Sequence, residues 1–250
     1  MRPAHPTFEQ IPLLRQLWQQ AFGDTDAFLD GFFTTAFAPD RCLCICDGAR
    51  MLSAAYWLPV ELEEGKGAYI YAVATAESHR GTGLAHALMV AIHQQLRVQG
   101  YVAAVLVPAK PGLEQFYGAM GYRLFGGIHT FCALAKSPAV ALQKISGAEY
   151  AARRNTYLPA GAVVQEGDSM AFLESYAQLY AGEDFILAAY REENTLVGLE
   201  LLGNAEKAPH ILQTLGATQG TFRIPGDEPF AMWLPFQKCR EPSYFGIAFD

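Results

Sequence analysis

The chain has 250 residues, 51% of them apolar and 17% charged, with 18 Lys+Arg against 25 Asp+Glu for a net charge of −7. That apolar content supports a packed core of one large or two small domains and excludes wholesale disorder. The acidic balance argues against a nucleic-acid footprint, which needs a basic face, and suits a cationic small substrate better.

Thr7 to Gln10 has the spacing of a capping box, and Leu13, Leu14, Leu17, Trp18 and Phe22 follow at helical intervals until Gly23. Asp24 or Thr25 caps a second helix carrying Phe28, Leu29, Phe32, Phe33 and Phe37. Cys42–Cys46 alternates, Asp47-Gly48 supplies hairpin chemistry, and Met51–Val60 returns as the second strand. Glu61–Gly67 reads as a polar loop and Tyr69–Thr75 as a strand. Leu84, Leu88, Ala91, Ile92 and Leu96 then mark a helix closed by Gly100, followed by the nearly all-apolar strand Tyr101–Val107. A strand, a helix and a strand in that order form a crossover that favours a parallel pair. A short helix, Leu113–Met120, opens at Pro111-Gly112 and stops at Gly121, and Tyr122–Ala135 reads as one strand or a bent pair.

Lys136-Ser137-Pro138 marks a boundary, predicting domains over 1–136 and 137–250. Beyond it, Ile145–Arg154 and Ser169–Leu179 are predicted helices, Phe185–Tyr190 and Leu196–Leu202 a hairpin, and His210–Leu215 a helix closed by Gly216. Thr221–Ile224 and Phe230–Phe236 are predicted strands. This order loosely repeats the first half, without evident sequence identity.

Met1–Pro6 has no apolar signal core, and the longest apolar stretch, Val102–Ala109, is far below the ~18 residues of a membrane span. The chain is therefore expected to be cytoplasmic, without a membrane partner. Five irregularly spaced cysteines agree with reduced thiols, and the low charged fraction is compatible with a homodimer. Cys42, Cys44 and Cys46 stand along one strand at a spacing poor for a shared metal, and the six histidines form no ligand motif, so no metal is expected.

The chemistry concentrates in Arg80-Gly81-Thr82-Gly83-Leu84-Ala85, between a strand and a helix. A helix start has backbone N–H groups without intrahelical partners and a partial positive charge, so an anion binds there readily. Glycines at 81 and 83 let a phosphate approach the backbone, and Arg80 can add charge or order the loop. Three readings compete: a turn without ligand, a dinucleotide fingerprint, and a coenzyme A pyrophosphate site. The fingerprint lacks its third glycine, since His86 stands there, and the ribose-binding acid is missing from Tyr101–Val107.

Arg80-x-x-Gly83-x-Ala85 resembles the R/Q-x-x-G-x-G/A motif of the GNAT superfamily of N-acetyltransferases. Phe116-Tyr117-Gly118-Ala119-Met120-Gly121-Tyr122 resembles the aromatic segment after that family's fifth strand, and the element order over about residues 5–135 is similar too. The chain resembles a bacterial branch with an extra C-terminal domain, distantly like the enhanced-intracellular-survival type. The resemblance implies an α/β (α+β) GNAT fold with a mixed, centrally splayed sheet, plus a smaller α/β C-terminal domain readable as a degenerate second GNAT-like module. It implies an acyltransferase with acetyl-CoA as cosubstrate: Val73, Ala74 and Thr75 pairing with the pantetheine arm, and Arg80, Gly81, Thr82, Gly83, Leu84 and Ala85 holding the pyrophosphate. Tyr117 matches the tyrosine that protonates the departing thiolate. A primary amine acceptor would attack directly. Phe28, Phe32 and Phe33 are candidate acceptor walls or core, and Glu61, Glu63, Glu64, Glu77 and the Asp250 carboxylate are candidate water-orienting bases, each readable as solvated charge. A non-catalytic acyl-CoA-binding module is the rival reading. The equivalent loop of the second half, Gly203 to Pro209, lacks the glycine pattern and is not expected to bind coenzyme A.

Overall fold

The computed structural model describes residues 2–110 and 112–249. Contacts divide the chain into two compact units, Met1–Leu106 with Leu234–Cys239, and Val107–Trp233 with Arg240–Asp250. Lys136, where the composition suggested a boundary, lies inside the second unit.

In the first unit, the Thr7 amide donates to Gln10 Oε1 at 3.0 Å, as the expected capping box requires, and a short 3-10 turn opens there. Helix α1 (Ile11–Phe22) follows, burying Leu14, Leu17 and Trp18, and ends at Gly23 with φ +78°. Thr25 caps α2 (Asp26–Thr35) by accepting from the Phe28 amide at 3.2 Å. Trp18 Nε1 donates to Asp24 Oδ2 at 2.7 Å, and its ring lies 4.7 Å from Phe32 and 5.1 Å from Tyr56, which ties both helices to the sheet.

That sheet runs β1 (Cys42–Asp47), β2 (Arg50–Leu62), β3 (Gly65–Thr75) and β4 (Ala103–Leu106) in spatial order. The first two pairs are antiparallel and β3 is parallel to β4 across α3 (Leu84–Val98), the predicted crossover. The polar loop expected over Glu61–Gly67 is instead a tight hairpin. Ladder pairing continues from Pro59↔Ala68 to Leu62↔Gly65, leaving only Glu63-Glu64 at the tip. Charged side chains there face water while their backbone stays paired, which a composition-based reading mistakes for a loop.

The second unit holds α4 (Leu113–Gly118), β5 (Arg123–Leu134), β6 (Gln143–Lys144), α5 (Gly147–Tyr157), α6 (Asp168–Tyr176), β7 (Gln178–Ala181), β8 (Phe185–Glu192), β9 (Thr195–Gly203), α7 (Ala208–Leu215), β10 (Gln219–Pro225) and β11 (Glu228–Pro235), whose last two residues belong to the first unit. Its strands lie in the order β11-β5-β10-β9-β8-β7-β6. Tyr122–Ala135 resolves into one strand. The helix expected over Ser169–Leu179 stops at Tyr176, because Gln178–Ala181 pairs with β8 and alternates exposed and buried side chains.

From α5 to β10 the second unit repeats the topology of the first: two helices, antiparallel β7-β8-β9, then α7 and parallel β10. Each third strand carries a bulge, at Ala72-Val73 in β3 and Leu199 in β9. Among the described residues no helix is long and apolar enough to cross a membrane, and no cluster of three His, Cys, Asp or Glu is placed to hold a metal ion.

Candidate active site

The register of β3 with β4 covers Gly67–Tyr69 against Ala103–Val105 and stops there. β3 continues to Thr75 beside β2 alone, so the sheet opens along one edge of β3. The bulge sits in this stretch: Ala72 and Val73 together oppose Ala55, and Ala72 takes φ +48°, which a residue with a Cβ rarely adopts. Beyond the bulge, the Ala76 amide donates to the Leu52 carbonyl at 2.8 Å. Ladder bonds alternate along an antiparallel strand, so Ala74 also faces β2, and its carbonyl accepts a second bond from buried Ser53 Oγ at 2.8 Å. Val73 and Thr75 therefore aim their backbone groups away from β2, along the open edge. Of the three strand positions the sequence suggested, Val73 and the Thr75 amide can pair with an extended ligand, while Ala74 is engaged by its own sheet and the Thr75 carbonyl by Arg80.

Strand β3 leads into a short 3-10 turn, Glu77–His79, and then the glycine loop. Arg80 Nε donates to the Thr75 carbonyl at 3.3 Å and Thr82 Oγ1 to the His79 carbonyl at 2.6 Å, so the loop is tied to the strand end and to itself. Gly81 has φ +76° and Gly83, the residue capping α3, φ +86°. A Cβ at either would meet nothing within 4 Å. These glycines therefore serve backbone conformation first, and the open space in front of them is a consequence. The first amide with an intrahelical partner is Ala87, bonded to the Gly83 carbonyl at 3.0 Å. The amides of Leu84, Ala85 and His86 precede it, and no acidic side chain stands in that turn.

The equivalent helix start in the second unit is closed. Asn204 Oδ1 accepts from the Glu206 amide at 3.1 Å, the Lys207 amide donates to the Asn204 carbonyl at 3.2 Å, and Pro209 has no amide hydrogen. No cradle of amides is left there for a phosphate.

Tyr117 lies on α4 in the second unit, buried beside the rings of Phe116 at 5.1 Å and Tyr122 at 5.8 Å. Burial pushes its phenol up to about 12, so it keeps its proton at neutral pH. Gly121, with φ +95°, turns the chain after it. Pro111 and Asp250 lie outside the described residues, and with them the terminal carboxylate.

Glu63 and Glu64 form the β2–β3 hairpin tip, at the far end of β3 from Thr75, about 30 Å along the strand. That distance removes them as bases beside the bulge. Glu61 and Glu77 are exposed. Phe32 is buried in the first unit's core, whereas Phe28 and Phe33 are half-buried.

Residues 4–125 match the acetyltransferase (GNAT) domain family. This chain carries a GNAT acetyltransferase domain. Among solved structures, a GCN5-related N-acetyltransferase from Kribbella flavida is 19% identical with a TM-score of 0.69, covering 93% of this chain and 70% of its own. A GCN5-related N-acetyltransferase from Anabaena variabilis is 15% identical at TM-score 0.69, covering 93% and 72%. Eis1 from Mycobacterium abscessus is 14% identical at TM-score 0.60, covering 91% and 66%. At these identities the likeness is one of fold, and it extends over both units of the chain. No curated protein matches the sequence.

One residue in the GNAT domain, and one distinction between residues, escaped the sequence reading. Ser53 looked like a small polar residue inside an apolar strand, and nothing local announced its bond to Ala74. The distinction between Ala74 and its neighbours depends on strand pairing, which the sequence does not write down.

Proposed function

We propose that the protein is an acetyl-CoA-dependent N-acetyltransferase in which a primary amine, cationic in solution, attacks the thioester directly. The observation that carries this reading is the continuity of an open strand edge at Val73 and Thr75 with the amide-rich helix start at Arg80–Ala85. An extended amide arm ending in a pyrophosphate needs that combination: outward backbone groups, then a turn of unpartnered amides. Acetyl-CoA supplies the activated acyl group. Val73 and Thr75 pair with the arm, and the amides around Gly81 and Gly83 bind the diphosphate. Arg80 holds the loop against the strand. Tyr117, protonated across the neutral range, gives its proton to the departing thiolate.

The net charge of −7 favours a cationic acceptor. Its amine must lose a proton before attack, and the glutamates of the hairpin tip are too far from the bulge to take it. That separation favours the second reading, a module that binds an acyl-CoA without turning it over.

Release of coenzyme A thiol in a panel of primary amines separates the two. Turnover with any amine supports the transferase, and donor binding without turnover supports the module. Tyr117→Phe should lower turnover more than donor affinity. An equal loss of both would give Tyr117 a structural role.

A further inference from the structure

We propose that the second unit has a peptide-binding cleft and that residues 244–249 of the same chain are its occupant. The cleft comes from the register of β9 and β10. They pair from Thr195↔Gln219 to Gly198↔Phe222 and then part, and β9 bulges at Leu199 just beyond. In the first unit β3 and β4 part after Tyr69↔Val105, and β3 bulges at Ala72-Val73. The same device opens both sheets, and the second opening is filled from within the chain. This inference stands whether or not the first unit binds acetyl-CoA.

The filling is specific. One residue past the bulge, Glu200 Oε1 accepts from the Tyr244 hydroxyl at 3.1 Å, while Arg154 of α5 holds the other carboxylate oxygen at 2.7 Å. β10 ends at Pro225, opposite Ile128 of β5, and the segment reaches Gly126 further along β5, where a Cβ would stand 3.1 Å from the Phe245 nitrogen. From the connection between α5 and α6, the Val163 amide donates to the Tyr244 carbonyl at 2.9 Å and Gln165 Nε2 to the Ile247 carbonyl at 3.1 Å. The Phe249 ring lies 5.0 Å from Phe172 of α6. Tyr244, Phe245, Ile247 and Phe249 are buried, yet residues 241–249 form neither helix nor strand. A segment buried by its side chains and held outside any strand ladder behaves as a bound ligand, and it opens at lower free energy than the sheet beneath it. Gly246 sets the selectivity. A Cβ there would overlap both the Tyr244 hydroxyl and Glu200 Oε1, so the site takes a peptide that reads tyrosine, apolar, glycine, apolar.

Fluorescence anisotropy of a labelled peptide of residues 240–249 tests the proposal on full-length chains. In the wild type the resident segment competes at an effective concentration set by its tether, and added peptide should not bind. Gly246→Ala should displace the segment and let the peptide bind saturably, and a peptide carrying Gly246→Ala itself should bind about 10-fold more weakly or worse. Equal binding to both chains places the peptide elsewhere and overturns the proposal. Hydrogen exchange locates the change: in Gly246→Ala the Val163 amide should lose about 10-fold or more of its protection, while residues 186–188 of β8 keep theirs. Protection lost in β8 as well, or a displaced segment without peptide binding, overturns the proposal by making the segment part of the core. Protection retained at Val163 overturns it too, because Gly246 then selects nothing. The wild type alone gives a second reading. Its Val163 amide should exchange about 10-fold faster than residues 186–188, and equal rates contradict a segment that opens by itself.

Discussion

Ser53 Oγ donates to the Ala74 carbonyl at 2.8 Å, and the same hydroxyl lies 3.0 Å from Thr75 Oγ1. One buried serine on β2 therefore fixes the two residues that follow the bulge on β3. Removing it leaves the Ala74 carbonyl with its ladder bond alone and loosens the strand that is proposed to pair with the donor. Ser53→Ala should cost about 1 kcal/mol of stability, as loss of a single buried hydrogen bond does. It should also weaken acetyl-CoA binding, read by urea unfolding and calorimetry on the same sample. Unchanged affinity with lowered stability would confine Ser53 to a folding role.

Gly83 separates two explanations of the loop. Its φ of +86° is strained for a side chain, yet a Cβ there meets nothing within 4 Å. Gly83→Ala should therefore act through the backbone, at roughly 1–2 kcal/mol, while Gly83→Asn should be milder because asparagine tolerates left-handed geometry. Acetyl-CoA affinity should fall in the order glycine, asparagine, alanine. Equal affinity in all three would show that the loop conformation plays no part in binding.

His93, buried on α3 near the Phe236 ring, titrates near 4 instead of 6.5, through burial first and then the charges of Arg97 and His86. Below about 6.5 the unfolded chain takes up a proton there that the folded chain refuses. The contribution of neutral His93 is thus full above that pH and is lost as pH falls toward 4. The loss should be on the order of 1–3 kcal/mol, and His93→Gln should flatten the stability profile across that window. Urea midpoints measured through the window check this; parallel profiles for the two proteins would assign the acid sensitivity elsewhere.

The first half of the fold was legible because its signals are local. Gly23 and Thr25 punctuate α1 and α2, Asp47-Gly48 turns the hairpin, and the period changes from strand to helix at Gly83. The glycine loop was legible for the same reason, since its chemistry is written within six residues. What was hidden depends on partners distant in sequence. Glu200 sits in an apolar run, Leu199 to Leu202, that reads as an ordinary buried strand. Its carboxylate is fully buried, held by Arg154 through bonds of 2.7 and 2.9 Å and by the Tyr150 and Tyr244 hydroxyls at 3.0 and 3.1 Å. A buried charge survives only with such a set of partners, and they come from α5 and from near the chain's end. The hairpin at Glu63-Glu64 failed for the opposite reason: backbone pairing outweighed a polar composition.

The proposed function stands or falls with the β3 edge and the Arg80–Ala85 loop as a site for acetyl-CoA. Isothermal titration of the purified chain with acetyl-CoA, with NAD as the control, tests it most directly. Acetyl-CoA should bind saturably at one site per chain and NAD should not bind. Absence of acetyl-CoA binding, or binding of NAD in its place, would contradict it.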